Sequence, residues 1–292
     1  MKRRNFLSTL AILPLAGMAS QIENIFPFSL AMNTSETMPV LFLGHGSPMN
    51  ALETNEFTLN FQRLGKRIPL PKAILCISAH WETKGTFVTG MTNPKTIHDF
   101  SGFPQKLFDV EYPAPGSVEV ASEAKNSVKK TVVGLDQQWG LDHGCWSVLT
   151  HLYPKANVPV VQLSLDYSRD AQYHYELAKE LAVLRNKGVL IIGSGNIVHN
   201  LGMIDWRNQN NGYDWALEAD NKVKELIQKN DHASLIHYEK LWKFMSLAVP
   251  SPEHYLPLLY CLALKQANEK VNIFNDKAVM GSLTMTSVSI GE

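Results

Sequence analysis

Five histidines stand where a side chain is poorly placed for core packing and well placed for chemistry. His45 lies in Leu43-Gly44-His45-Gly46-Ser47-Pro48, His80 in Ser78-Ala79-His80-Trp81, and His143 in Asp142-His143-Gly144. His199 ends Gly195-Asn196-Ile197-Val198-His199, and His254 sits in Pro252-Glu253-His254-Tyr255. Each is at the boundary of a segment, near Gly, Ser, Pro or Trp. Flanking glycines let the backbone turn sharply and leave an imidazole open to a cleft. Neutral imidazole is a ligand for first-row metals and also titrates near neutral pH, so one residue type can hold an ion or move a proton. A single histidine of this kind has an equally good structural reading. Five together point to a metal centre.

The elements that must position them can be read from the flanking runs. Val40 to Leu43, Ala73 to Ser78 and Val189 to Ile192 are apolar stretches of strand length, each running into one of these histidine-bearing turns. In open α/β sheets ligands bind at the carboxyl ends of strands. The sequence predicts that β-strands end at His45 and His80. Further strands are predicted at Thr86 to Met91, Thr131 to Leu135 and Val158 to Leu165, and an edge strand over Val279 to Ile290. Helices are predicted at Phe57 to Leu64, from Ser117 to about Lys129, up to Tyr153, over Ala171 to Asn186, over Asp214 to Lys229, and from Pro252 to about Asn268. Alternation of this kind predicts an α/β fold: a single domain with a mixed central sheet and helices on both faces.

The other histidines carry weaker signals. His98, in Ile97-His98-Asp99-Phe100, is an intermediate candidate for the mouth of a cleft. His151, His174, His232 and His237 read as surface or helix residues. Gly193-Ser194-Gly195-Asn196 lacks the third glycine and the downstream acid of a dinucleotide-binding turn. Gly44-His45-Gly46-Ser47 is not a Gly-x-Ser-x-Gly nucleophile elbow, and Ser47 reads as a cap. Trp81, Phe100, Phe103 and Trp146 could shape an apolar pocket, with core packing the role of at least half of them.

The 292 residues carry 27 basic and 27 acidic side chains, a balance without the basic excess of a nucleic-acid binder. Residues 1–37 read as a segment apart from the catalytic domain, 38–292. Lys2-Arg3-Arg4-Asn5-Phe6-Leu7 precedes a short apolar run to about Ala19, which resembles a twin-arginine export signal followed by a linker. This predicts an exported, periplasmic protein without stable membrane insertion after processing; an uncleaved tether or a cytoplasmic location is the alternative. Three cysteines, Cys76, Cys145 and Cys261, form no disulfide framework, and Cys76 and Cys261 read as core.

Taken in order, the motifs listed for His45, His80, His143, His199 and His254, together with Thr96-Ile97-His98-Asp99-Phe100 and Tyr112-Pro113-Ala114-Pro115-Gly116, resemble those of the 4,5-DOPA extradiol dioxygenase family. The resemblance runs from Met38 to Gly291. That family belongs to the class III ring-cleaving dioxygenases, which use a non-haem metal, Fe(2+) or Zn(2+). The resemblance implies a small-molecule catechol such as DOPA as substrate, opened by O2 to a muconic semialdehyde. It makes His45, His80 and His254 metal ligands, with His199 a further ligand or the acid/base residue. His143 is implied to handle protons beside the centre. Glu253 is the alternative ligand to His254, since adjacent residues at a helix start rarely point the same way. A zinc-dependent hydrolase on the same scaffold, or a binding protein that kept the fold without catalysis, are the rival readings.

Overall fold

The apolar runs do assemble into one sheet. The computed structural model describes residues 37–241 and 243–292, and the export-like segment lies outside them. Eight strands pair in the order β4-β3-β5-β2-β6-β1-β10-β7. These are β1 (Val40–Gly44), β2 (Ala73–Thr83), β3 (Thr86–Thr89), β4 (Val133–Asp136), β5 (Val160–Asp166), β6 (Val189–Gly195), β7 (Val271–Phe274) and β10 (Ser287–Ile290); β8 (Ala278–Val279) and β9 (Leu283–Thr284) form a separate small hairpin. Pairing is parallel through the centre (β5, β2, β6, β1) and antiparallel where β10 joins β1 and β7. The sheet is mixed, as predicted.

The central strands β1, β5 and β6 are buried at every position. Strands covered on both faces need apolar residues without alternation, which explains the continuous runs in the sequence. Two helices cover opposite faces. A Cβ on Gly193 would meet Pro257 O at 2.4 Å and Cys261 Sγ at 2.7 Å, so glycine is what lets the Leu256–Ala263 helix lie against one face of β6. On the other face Gly144, in the His143–Leu152 helix, approaches Ser78 Oγ of β2 equally closely. All three cysteines are free and buried. Among the described residues no helix is long and apolar enough to cross a membrane.

Two segments differ from expectation. Strand β2 does not end at His80 but continues to Thr83, with a register shift between Ile77 and Glu82. A bulge re-aims the side chains inside it, and here it carries His80. The stretch Val279 to Ile290 is not one edge strand. Backbone with positive φ at Met280 and Gly281 turns β8 back onto β9, and β10 follows as a separate strand inside the sheet between β1 and β7. The edge is β7, where no strand was expected. Alternating polarity could not reveal this, because both serines of β10 are buried in the interior, where Ser287 Oγ accepts from Gly44 N.

Candidate metal centre

Strands β1, β2 and β6 bring their carboxyl ends to one rim, and the histidine turns meet there. His45 follows β1 directly, its N–H donating to Gly195 O of β6. Gly46 takes φ +62°, a left-handed turn that suits glycine, and this swings the chain into Pro48–Ala51. His254 is in the turn leading to the Leu256–Ala263 helix, and its carbonyl accepts from Asn196 N at 2.9 Å. The five rings form one cluster: His45 lies 5.1, 5.3 and 5.7 Å between centroids from His80, His254 and His143. His199 stacks on His254 with an interplanar angle of 8°.

Hydrogen bonds at the rear of the rings fix which nitrogens face inward. Ser194 Oγ donates to Gly144 O at 2.5 Å, so it accepts from His45 Nδ1 at 3.0 Å. Carboxylates can only accept. Asp99 Oδ2 therefore takes the Nδ1 proton of His143 at 2.9 Å, with His80 Nδ1 a charge neighbour at 3.3 Å, and Glu253 Oε1 takes that of His254 at 3.1 Å. His45, His143 and His254 then present an unprotonated Nε2. The Nε2 atoms of His45 and His80 face each other at 3.2 Å, and His254 Nε2 is buried with no hydrogen-bond partner. An orphaned buried lone pair beside two further ring nitrogens is costly unless something positive binds there. His45, His80 and His254 each offer a ligand atom within 4.8 Å of the others, and so do His80, Asp99 and His143, and His199, Glu253 and His254.

Electrostatics keep the rings ready for a cation. Burial and the neighbouring imidazoles push His45 and His254 well below the ordinary histidine value. Burial and His143 take His80 down to about 3, against the pull of Asp99, and burial takes His199 to about 4 despite Glu253. These four rings are neutral at pH 7, the form that binds metal. Burial works to raise the Asp99 carboxyl, but hydrogen bonds and charge from His143 and His80 outweigh it and hold it below the usual range.

The rings open onto a cavity of about 680 Å³ whose apolar walls include Phe100, Phe103, Leu201, Ile204, Met280 and Leu283. Of the four aromatic candidates, Phe100 and Phe103 line it. Trp81 and Trp146 do not: Trp81 stacks on Trp139, and Trp146 is buried with Nε1 donating to Ile97 O. His98 is likewise outside the cavity lining, its Nε2 donating to Val110 O, while its neighbour Asp99 is at the site. Asp99 is the residue sequence reasoning missed, although it stood inside a quoted motif. His151 and His174 are helical, as expected, but buried and partnered rather than on the surface. His151 Nε2 donates to Asn50 O, and Asn50 Nδ2 to His45 O. His174 is held between Tyr260 and Asp166.

Comparison with known proteins agrees in extent with this geometry. Residues 39–290 match the family model described as the catalytic LigB subunit of aromatic ring-opening dioxygenase. The chain is 46% identical over 262 residues to the 4,5-DOPA dioxygenase extradiol of Escherichia coli (strain K12), covering 88% of this chain and 96% of that one. It is 34% identical over 274 residues to the protein of the same name from Beta vulgaris, covering 87% and 98%. The crystal structure of an uncharacterized protein from Escherichia coli K12 superposes with a TM-score of 0.77 at 42% identity, covering 87% of this chain and all of that one.

Proposed function

Because the chain belongs to the family of the catalytic LigB subunit of aromatic ring-opening dioxygenases, we propose that the five-histidine basin is where it opens a catechol ring beside its diol. The enzyme is an extradiol ring-cleaving dioxygenase, and catechols of the DOPA type are its substrates by the names of its relatives. The buried, partnerless Nε2 of His254 beside those of His45 and His80 carries the assignment of the centre. These three residues hold a divalent first-row ion, Fe(2+) or Zn(2+), and His254 rather than Glu253 is the ligand. Glu253 holds the proton on the other nitrogen of the His254 ring, as carboxylates commonly do behind metal-bound imidazoles. His199, stacked on His254, serves the same centre as a further ligand or as acid/base.

When bound, such an ion acidifies the catechol hydroxyls and passes electron density between ring and dioxygen. The chain's own residues do the rest. With Asp99 holding Nδ1–H, His143 keeps Nε2 as its basic atom and can take a hydroxyl proton, while Asp99 stabilises the imidazolium that results. Phe100 and Phe103 flank the ring, and the aliphatic walls keep water from the opened product. Both oxygen atoms of O2 end in the muconic semialdehyde.

The test is anaerobic loading with Fe(2+), then addition of O2 and DOPA while following the yellow semialdehyde. Product equal to the O2 consumed, and none without O2, is the expected result. Turnover indifferent to O2 would favour the zinc-hydrolase reading and overturn this one.

A further inference from the structure

A second cavity, of about 400 Å³, adjoins the basin; Ser47, Phe103, Trp206 and Met280 are walls of both. A catechol with its diol toward the histidines directs any substituent on the far side of its ring away from them. The walls common to both cavities lie among those that such a substituent would meet. The lining of the second cavity is mixed: Met49, Phe57, Val279 and Met285 supply apolar wall, and the two charged residues on it, Glu53 and Glu56, are both acidic. Among the described residues, no lysine or arginine lines either cavity.

The two glutamates are not equivalent. Glu56 Oε1 accepts from Lys277 Nζ at 2.7 Å and is compensated. Glu53 has only a long contact, 3.4 Å, from the neutral amide of Asn55. It is an exposed carboxylate, and among the described residues no cation pairs with it. Resting on the reading that the basin opens a catechol, we propose that this second cavity receives the substrate's side arm, and that Glu53 selects an arm bearing an ammonium over one bearing a carboxylate. An anionic arm finds no lysine or arginine on the described walls of either cavity and meets the repulsion of Glu53. Because Glu53 is exposed, its contribution is that of a surface ion pair, a factor of about three to five in KM.

The experiment uses the full-length, Fe(2+)-loaded enzyme with three probes: dopamine (ammonium arm), dihydrocaffeate (carboxylate arm) and methylcatechol (no charged arm). Glu53→Gln should raise KM for dopamine about three- to five-fold, leaving its kcat and both constants for methylcatechol unchanged. Glu53→Lys should lower KM for dihydrocaffeate. Anaerobic calorimetry of dopamine binding should show the same loss in the Gln variant. An unchanged dopamine KM in Glu53→Gln, or an equal rise for all three probes, would overturn the proposal. In that case methylcatechol is still opened by the wild type, and the assignment of the basin stands. Failure of the wild type to open any of the three sinks both.

Discussion

Asp99 grips His143 twice: Oδ1 accepts the main-chain N–H and Oδ2 the ring Nδ1–H, each at 2.9 Å. The same Oδ2 lies 3.3 Å from His80 Nδ1, so one carboxylate sets the tautomer of His143 and places its charge beside a second ring. Asp99→Asn puts an amide in its place, which can turn a donor toward Nδ1 and reverse which nitrogen is basic. We expect kcat to fall about 10²- to 10⁴-fold, the range spanned by general-base effects and by a wrong tautomer, with a smaller change in KM. Steady-state kinetics with a pH profile check this. A profile and kcat unaltered by the substitution would remove Asp99 from the mechanism.

Removing a ring from the centre differs from removing one beside it. His45→Ala and His80→Ala should lose the metal while circular dichroism remains that of the folded protein. His143→Ala should keep the ion, measured by elemental analysis, and lose turnover. Loss of His199 should slow turnover more than it weakens catechol binding. Full metal and ring-opening activity in the His45 variant would show the centre to lie elsewhere.

Behind His45, Ser194 works by geometry alone. Its hydroxyl is committed as a donor to Gly144 O and so must accept from His45 Nδ1. Ser194→Ala keeps the strand and removes that acceptor. Partners of this kind are worth about 10- to 100-fold in metal affinity. Competition with a chelator should register a weakening of that order, and an affinity equal to wild type would contradict the tautomer argument.

Away from the centre, His174 makes acid stability measurable. Its Nε2–H donates to Asp166 O, and Nδ1 accepts from Tyr260 O–H. Burial is the largest influence on it and lowers its pKa from 6.5 to about 4. Between those values the unfolded chain binds a proton that the native protein does not. Its stabilising contribution is therefore whole above pH 6.5 and is lost as the pH falls toward 4. The loss amounts to roughly 3 kcal/mol. Urea unfolding of wild type and His174→Asn at pH 7.5 and 4.5 should show the wild type losing more over this window by about that amount. The basin histidines are common to both proteins and cancel. Equal losses would refute it.

Much of this was legible in the sequence, for identifiable reasons. Fully buried parallel strands need unbroken apolar runs, so β1, β5 and β6 are visible, and the histidine turns follow from glycine and proline at their ends. What was hidden depends on contacts distant in the chain. Asp99 looked like a neighbour of His98, because nothing local says which of two adjacent polar residues faces the cavity. The partners of His174 and His151 come from other elements, so both looked unremarkable. Trp81 and Trp146 have the composition of a pocket and the surroundings of a core.

The pairing of β1 with β10 has a bearing on how the protein matures. The first strand of the sheet and the last are hydrogen-bonded neighbours, Val40 opposite Ile290. A nascent chain emerging from the ribosome therefore leaves the flank of β1 open until Ser287–Ile290 has been made. The turn that carries His45 hangs from that flank, so the centre can close only once β10 is in place. Deleting Ser287–Ile290 would unseat an inner strand of the sheet.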